Sequence, residues 1–184
     1  MFFRNPESSH EHSLETLNWL YEHDDFMSSI DTLIDLGCGQ GLDLEWWATR
    51  TTRDDNPEPL NIKCTGVDLF ENLPVAHEHQ NITYQRNNFE GQIHSPKEGF
   101  DVLWCHDAFQ YALNPIDTLS RWREISVDGA MLVLIVPETQ RIHHKKLFYY
   151  QPNGCFYHYS VVNLIHMLAV TGWDCRAGFF KKDP

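Results

Sequence analysis

Residues 33–41 read LIDLGCGQG. A short apolar run carries an acid, Asp35, near its end. Glycines then stand at alternate positions, Gly37, Gly39 and Gly41, and an amphipathic run starts at Leu42. That order spells a buried strand, a tight turn without Cβ atoms and a helix start. Glycine admits positive φ and lets the backbone come close to a ligand. The helix start behind it offers unpaired N–H groups to polar ligand atoms. Taken alone, G-x-G-x-G is only a turn, but its place between strand and helix makes it a ligand loop. A nicotinamide site needs G-x-G-x-x-G/A, whose last small residue allows close helix–strand packing. Leu42 follows Gly41 here, which disfavours a nicotinamide oxidoreductase.

Upstream, residues 13–23 place Leu14, Leu17 and Leu20 at helical spacing, with Trp19 and Tyr21 beside them. They predict an amphipathic helix covering the ligand side of the sheet. Downstream, Leu42, Leu44, Trp46, Trp47 and Ala48 predict a crossover helix that fades near Thr51. Residues 51–59, TTRDDNPEP, predict a polar surface loop. The links 69–81 and 87–100 are near the minimum of about a dozen residues for a parallel crossover. Their helices are therefore expected to be short or irregular. Residues 118–126 predict the helix before a fifth strand, and MLVLIVP (131–137) reads as a strand buried on both faces.

The string Asp35-x-Gly37-x-Gly39-x-Gly41 resembles motif I of the class I S-adenosylmethionine-dependent methyltransferases, of the type 11/12-like domain. The resemblance continues in order along the chain. NIKCTGVDLF (61–70) matches a second strand ending in Asp68, ITYQRNNFE (82–90) a third with its loop, and FDVLWCHDAFQYALNP (100–115) a fourth. DGAMLVLIVPE (128–138) matches strand five, and 160–180 the last helix and a sixth strand. The resemblance implies a Rossmann-like α/β domain over 1–184 with a doubly wound, mainly parallel sheet. It implies an N-terminal cover at 1–28 and an acceptor-side loop at 138–160. The family's usual antiparallel seventh strand finds no residues here after FFKKDP, so strand six should pair with strand five or leave its edge free. A free edge suggests a homodimer through that edge, or a truncated chain.

The resemblance also implies S-adenosyl-L-methionine as cofactor. Its site would draw on Asp35, Gly37, Cys38, Gly39, Gly41, Asp68, Leu69, Asn88, Phe89, Cys105 and His106. Asp68 would accept the ribose hydroxyls. Asn88 stands where the family often has an aspartate facing the adenine amino group, and its amide oxygen can still accept that bond. The family's E-H pair puts Tyr111 at the histidine position, so no histidine role carries over there.

Composition narrows the partners. The formal charge is −12, with 14 Lys and Arg against 26 Asp and Glu. A nucleic-acid binder needs a cationic face. The one basic cluster, 141–146, is either a solvated loop or a loop meeting an anionic group of the substrate. No apolar run approaches the ~20 residues of a membrane span, and the N-terminus lacks a signal peptide's apolar region. Five scattered cysteines without a C-x-x-C pair point to a reducing cytoplasm. Eleven histidines include no H-E-x-x-H, and pairs such as His77/His79 and His143/His144 diverge, so no metal site is expected.

His106 differs, because it follows the fourth strand. Ligands in open α/β sheets bind beyond the carboxyl ends of the strands. An imidazole there could act as general base towards a hydroxyl or amine, or simply line the cofactor or cap a helix. Residues 145–160, KKLFYYQPNGCFYHYS, are dense in aromatics. They either wall an acceptor pocket or pack on themselves. Tyr157 and His158 are alternative bases. The expected activity is methylation of oxygen or nitrogen on a small organic or sugar-like acceptor. The rival is a catalytically silent S-adenosylmethionine-binding subunit that supports a partner enzyme.

Overall fold

A computed structural model describes residues 6–23, 27, 29–53, 55–69, 79–136, 156–176 and 178. Five parallel strands form one sheet: β1 (Thr32–Leu36), β2 (Lys63–Asp68), β3 (Ile82–Arg86), β4 (Phe100–His106) and β5 (Ser126–Ile135). Their order is β3-β2-β1-β4-β5. The chain winds outward from β1 in one direction, then returns to start again at β4 on its other side. That reversal opens a crevice at the carboxyl ends of β1 and β4.

Alternation along the strands sends side chains to two separate cores. Leu33, Val102 and Trp104 join Leu44, Trp46, Trp47 and Ile62 on one face. This face is covered by α2 (Leu42–Ala48) and by α1 (Pro6–His23), which contributes Leu17 and Leu20. Ile34, Leu36, Leu103 and Cys105 face the other way, with Phe109, Leu119 and Trp122. There α3 (Pro115–Glu124) and α4 (Val161–Val170) lie over the sheet. At the opposite end of the sheet from the crevice, Asp101 Oδ2 accepts from Asp31 N (3.0 Å), Thr32 N (2.8 Å) and Thr32 Oγ1 (2.8 Å). One carboxylate thereby joins β1 to β4 at their starts.

Several boundaries differ from expectation. α1 begins at Pro6, ahead of residue 13, and proline's fixed φ suits a first helical turn. α3 begins at Pro115 and not at 118, because Asn114 caps it by accepting from Asp117 N. Among residues 87–99 no helix forms, where a short or irregular one was expected. Within β5, residues 131–135 are half-buried instead of buried on both faces. Among the described residues it has no strand on its outer side. Its register against β4 also slips between Phe100 and Val102, a bulge that bends the strand near Gly129. Residues 171–176, placed by sequence at the start of a sixth strand, form a turn and coil. Trp173 Nε1 there donates to Leu119 O at 3.2 Å. No sixth or seventh strand occurs among the described residues.

Candidate cofactor and acceptor site

The loop after β1 is tied to β2 before it reaches α2. Gly37 N and Cys38 N both donate to Val67 O, at 2.8 and 3.1 Å. Gly41 N then closes a turn on Cys38 O (2.8 Å), and Glu45 N begins the helix on Gly41 O (3.0 Å). Two of the glycines are demanded by contact as well as by φ. At Gly37 (φ +89) a Cβ would overlap the Ala108 methyl, and at Gly41 (φ +75) it would overlap the Tyr84 hydroxyl. Gly39 is different: nothing lies within 4 Å of where its Cβ would stand. The loop therefore presents an open backbone face at its middle residue.

Asp68 ends β2 beside this opening. Its Oδ2 accepts from Gly39 N (2.9 Å) and its Oδ1 from Leu69 N (2.7 Å). Leu69 is exposed. In the loop after β3, Asn88 Oδ1 accepts from Glu90 N (2.9 Å), so the amide oxygen already carries one bond inside its own turn. Phe89 packs edge-on against Trp122, whose indole N–H donates to Phe89 O. Glu90, which sequence reading passed over, holds this loop to the chain before α3. Its Oε1 accepts from Leu113 N (2.7 Å), Asn114 N (3.1 Å) and Thr118 Oγ1 (3.2 Å). Its partners lie more than twenty residues on, and no local pattern announces them.

Cys38 and Cys105 are buried, one in each core. Burial pushes both thiols well above their ordinary values, so they stay protonated and act as small apolar core residues. Asp35 is also buried. Burial first, then the charges of Asp43 and Asp68, raise its carboxyl well above the carboxylate range. Such a group is uncharged more readily in the folded chain than in the unfolded one. Between the ordinary carboxylate range and its raised value, the folded chain binds the extra proton, so stability falls as pH rises through that window. Urea midpoints for the wild type should therefore fall from pH 5 towards 7.5. Asp35→Asn should flatten that trend and raise the midpoint at the upper pH. A slope unchanged by the substitution would assign the trend elsewhere.

His106 is the last residue of β4, and its side chain is 7% exposed. Its Nδ1 lies 3.5 Å from Asp43 Oδ2 and its Nε2 lies 3.9 Å from Asp107 Oδ2. Asp107 takes a left-handed φ of 51°, which turns the chain into the 3₁₀ turn Phe109–Tyr111. Asp43, in the first turn of α2, was not singled out from sequence. Its Oδ1 accepts from Ser13 Oγ (2.5 Å) on α1 and its Oδ2 from Trp104 Nε1 (2.9 Å).

The described part of the aromatic segment docks beside this turn. Phe156 N and Tyr157 N donate to Gln110 O, and the Tyr157 hydroxyl donates to Leu113 O at 3.3 Å. Tyr159 is buried and stacks on Phe109, with centroids 5.2 Å apart. Tyr157 and His158 are exposed. Residues 145–155, the basic cluster 141–146 and His77 lie outside the described residues. Among the described residues no group of three or more His, Cys, Asp or Glu side chains is placed to hold a metal ion. No described helix is long and apolar enough to cross a membrane.

A family model described as "methyltransferase domain" matches residues 27–177. No curated protein matches the chain. Among solved structures, the chain resembles one from the complex between the Haloferax volcanii Trm112 methyltransferase activator and a proposed methyltransferase. That match has 16% identity and TM-score 0.61, covering 93% of this chain and 77% of that one. A proposed methyltransferase from Bacillus halodurans matches at 17% identity and TM-score 0.56, over 77% of this chain and 62% of that chain. The plantazolicin methyltransferase BamL, solved with a triazolic desmethylPZN analog and SAH, matches at 14% identity and TM-score 0.58. That match covers 88% of this chain and 68% of BamL. These likenesses concern the fold, and they span from under two thirds to about three quarters of the relatives' lengths. The family match covers most of the sequence and agrees with the five-stranded crevice. The chain therefore belongs to the methyltransferase-domain family of S-adenosylmethionine-dependent enzymes.

Proposed function

We propose that the chain methylates an oxygen or nitrogen of a small organic or sugar-like acceptor held against the crevice. The observation that carries this reading is a convergence at the ends of β1, β2 and β4. The open backbone at Gly39, the fixed Asp68 carboxylate and His106 all stand there. S-adenosylmethionine, when bound, supplies a methyl group already activated on a sulfonium. The loop of Asp35, Gly37, Cys38, Gly39 and Gly41 would take its methionine part. Asp68 and Leu69 would take the ribose, Asn88 and Phe89 the adenine, and Cys105 and His106 would wall the reacting end. Each Asp68 oxygen accepts one backbone N–H, and a carboxylate oxygen can accept more than one hydrogen bond. His106 would remove the acceptor's proton as its oxygen or nitrogen attacks. The segment 156–159 would help exclude water, with Tyr157 and His158 as alternative bases.

Titration calorimetry with S-adenosylmethionine, S-adenosylhomocysteine and NAD, followed by an acceptor screen, tests the reading. Binding of NAD alone would overturn it. Asp68→Ala should cost one or two charge-assisted hydrogen bonds, about 1–3 kcal/mol, or roughly 5- to 150-fold in cofactor affinity. Wild-type affinity in that variant would refute the ribose role.

A second reading, a silent cofactor-binding subunit, is favoured by apolar surface beside the site. Leu113 is 67% exposed and Phe156 58%. Cofactor binding without transfer to any acceptor, restored by a partner protein, would select it. The four described cysteines are all free, which supports a cytoplasmic setting. The outer edge of β5 is the surface we assign to a homodimer.

A further inference from the structure

We propose that Asp43 is the positioning residue of His106. Its carboxylate holds the imidazole in the tautomer protonated on Nδ1 and leaves the Nε2 lone pair for the acceptor's proton. This rests on the reading of His106 as base.

Trp104 and His106 are two apart on β4 and so project from the same face of the sheet. That face is the one covered by α1 and α2. Asp43 comes down from α2 to meet both, and Ser13 closes over it from α1. The Asp43 side chain is only 10% exposed. A buried charge is tolerated when donors surround it. Indole N–H can only donate, so Trp104 requires an acceptor at Oδ2. The Ser13 hydroxyl fills Oδ1 at 2.5 Å. Two fixed donors from two different elements thereby stop the carboxylate from rotating.

The consequence falls on the imidazole. Nδ1 stands 3.5 Å from Oδ2, slightly beyond a hydrogen bond, and such contacts commonly tighten when ligands bind. A proton on Nδ1 meets the carboxylate favourably. A bare Nδ1 lone pair would face the oxygen's own lone pairs. The tautomer is thus chosen by Asp43, as a hydrogen bond at one ring nitrogen fixes the state of the other. The second described charge facing the ring, Asp107, lies further away on the Nε2 side at 3.9 Å.

The test reads the tautomer directly. Imidazole ¹H–¹⁵N correlation spectra are recorded on the full chain, ¹⁵N-labelled at histidine and saturated with S-adenosylhomocysteine. The pH is held at about 9, above the ordinary histidine range, and His106 is assigned by its loss in His106→Gln. The wild type should show the Nδ1–H form as the dominant signal. Asp43→Ala removes the acceptor that faces Nδ1, so the Nδ1–H form should lose its dominance to the Nε2–H form. Trp104→Phe leaves Asp43 in place and frees its carboxylate, so it should give a mixture. An Nε2–H form or an imidazolium in the wild type overturns the proposal, whether or not the variants fold. So does a spectrum unchanged in Asp43→Ala. Failure of the base reading appears elsewhere, as full turnover in His106→Ala, and leaves the wild-type tautomer as found.

Discussion

Trp104→Ala is expected to lower stability by about 3–5 kcal/mol, the usual range for truncating a fully buried tryptophan. The indole sits at the middle of β4 with no solvent exposure and meets Trp47 edge-to-face at 6.0 Å. Removing it empties the centre of the core beneath α1 and α2. It also withdraws the donor that Asp43 Oδ2 requires, leaving a buried carboxylate short of a partner. Against a typical total of about 5–15 kcal/mol, the variant would be close to unfolded at moderate temperature. Urea titration gives the measurement, and Trp104→Phe separates packing from the hydrogen bond. A loss under about 1 kcal/mol for the alanine variant would mean that this core is not the one holding the sheet.

The second large effect concerns chemistry. His106→Ala should reduce turnover by roughly 10²–10⁴, the range for removing a general base, with cofactor affinity nearly unchanged. The reasoning is positional: His106 ends β4 at the crevice, while Asp68 and the glycine loop, which we assign to the cofactor, stand at the ends of β2 and β1. Single-turnover rates and calorimetric affinities measured on one preparation decide the matter. Equal losses in both would make His106 a lining residue, and the base would have to be sought at Tyr157 or His158.

Much of this architecture was legible in the sequence. The strand–glycine–helix order of 33–48 survives intact because each part is a local signal: an apolar run, residues free of Cβ, and a period near 3.6. Asp68 was legible as a strand's last residue, and β2 ends there; by rule such a residue lies at the ligand end. β5 was misjudged in burial for a different reason. An apolar run reports what a strand would tolerate, not whether a neighbour is present on each side. The start of α3 was placed three residues late, since Asn114-Pro115 was not weighed as a cap followed by a first turn. Asp43, Ser13 and Glu90 escaped notice because their partners are 23 to 63 residues distant. In sequence, Asp43 is one more acid in the first turn of a helix. Only the approach of Trp104 and His106 makes it part of the crevice.

The strand order has a kinetic consequence. Every pairing in the sheet is parallel, so no strand can be joined by a hairpin and each must wait for a crossover. The seam between β1 and β4 is the most demanding: Leu33 meets Val102 across about 70 residues of chain, and contacts so distant in sequence slow folding. β1 with β2 and β3, and β4 with β5, can each assemble over shorter loops. A chain paused before the halves join would present two bare strand edges at its centre, the form of surface that aggregates. That same seam, joined at its start by Asp101, is where the crevice opens. The ligand site and the slowest closure of the fold therefore share one boundary, and a ligand that spans it has no complete site until refolding is nearly finished.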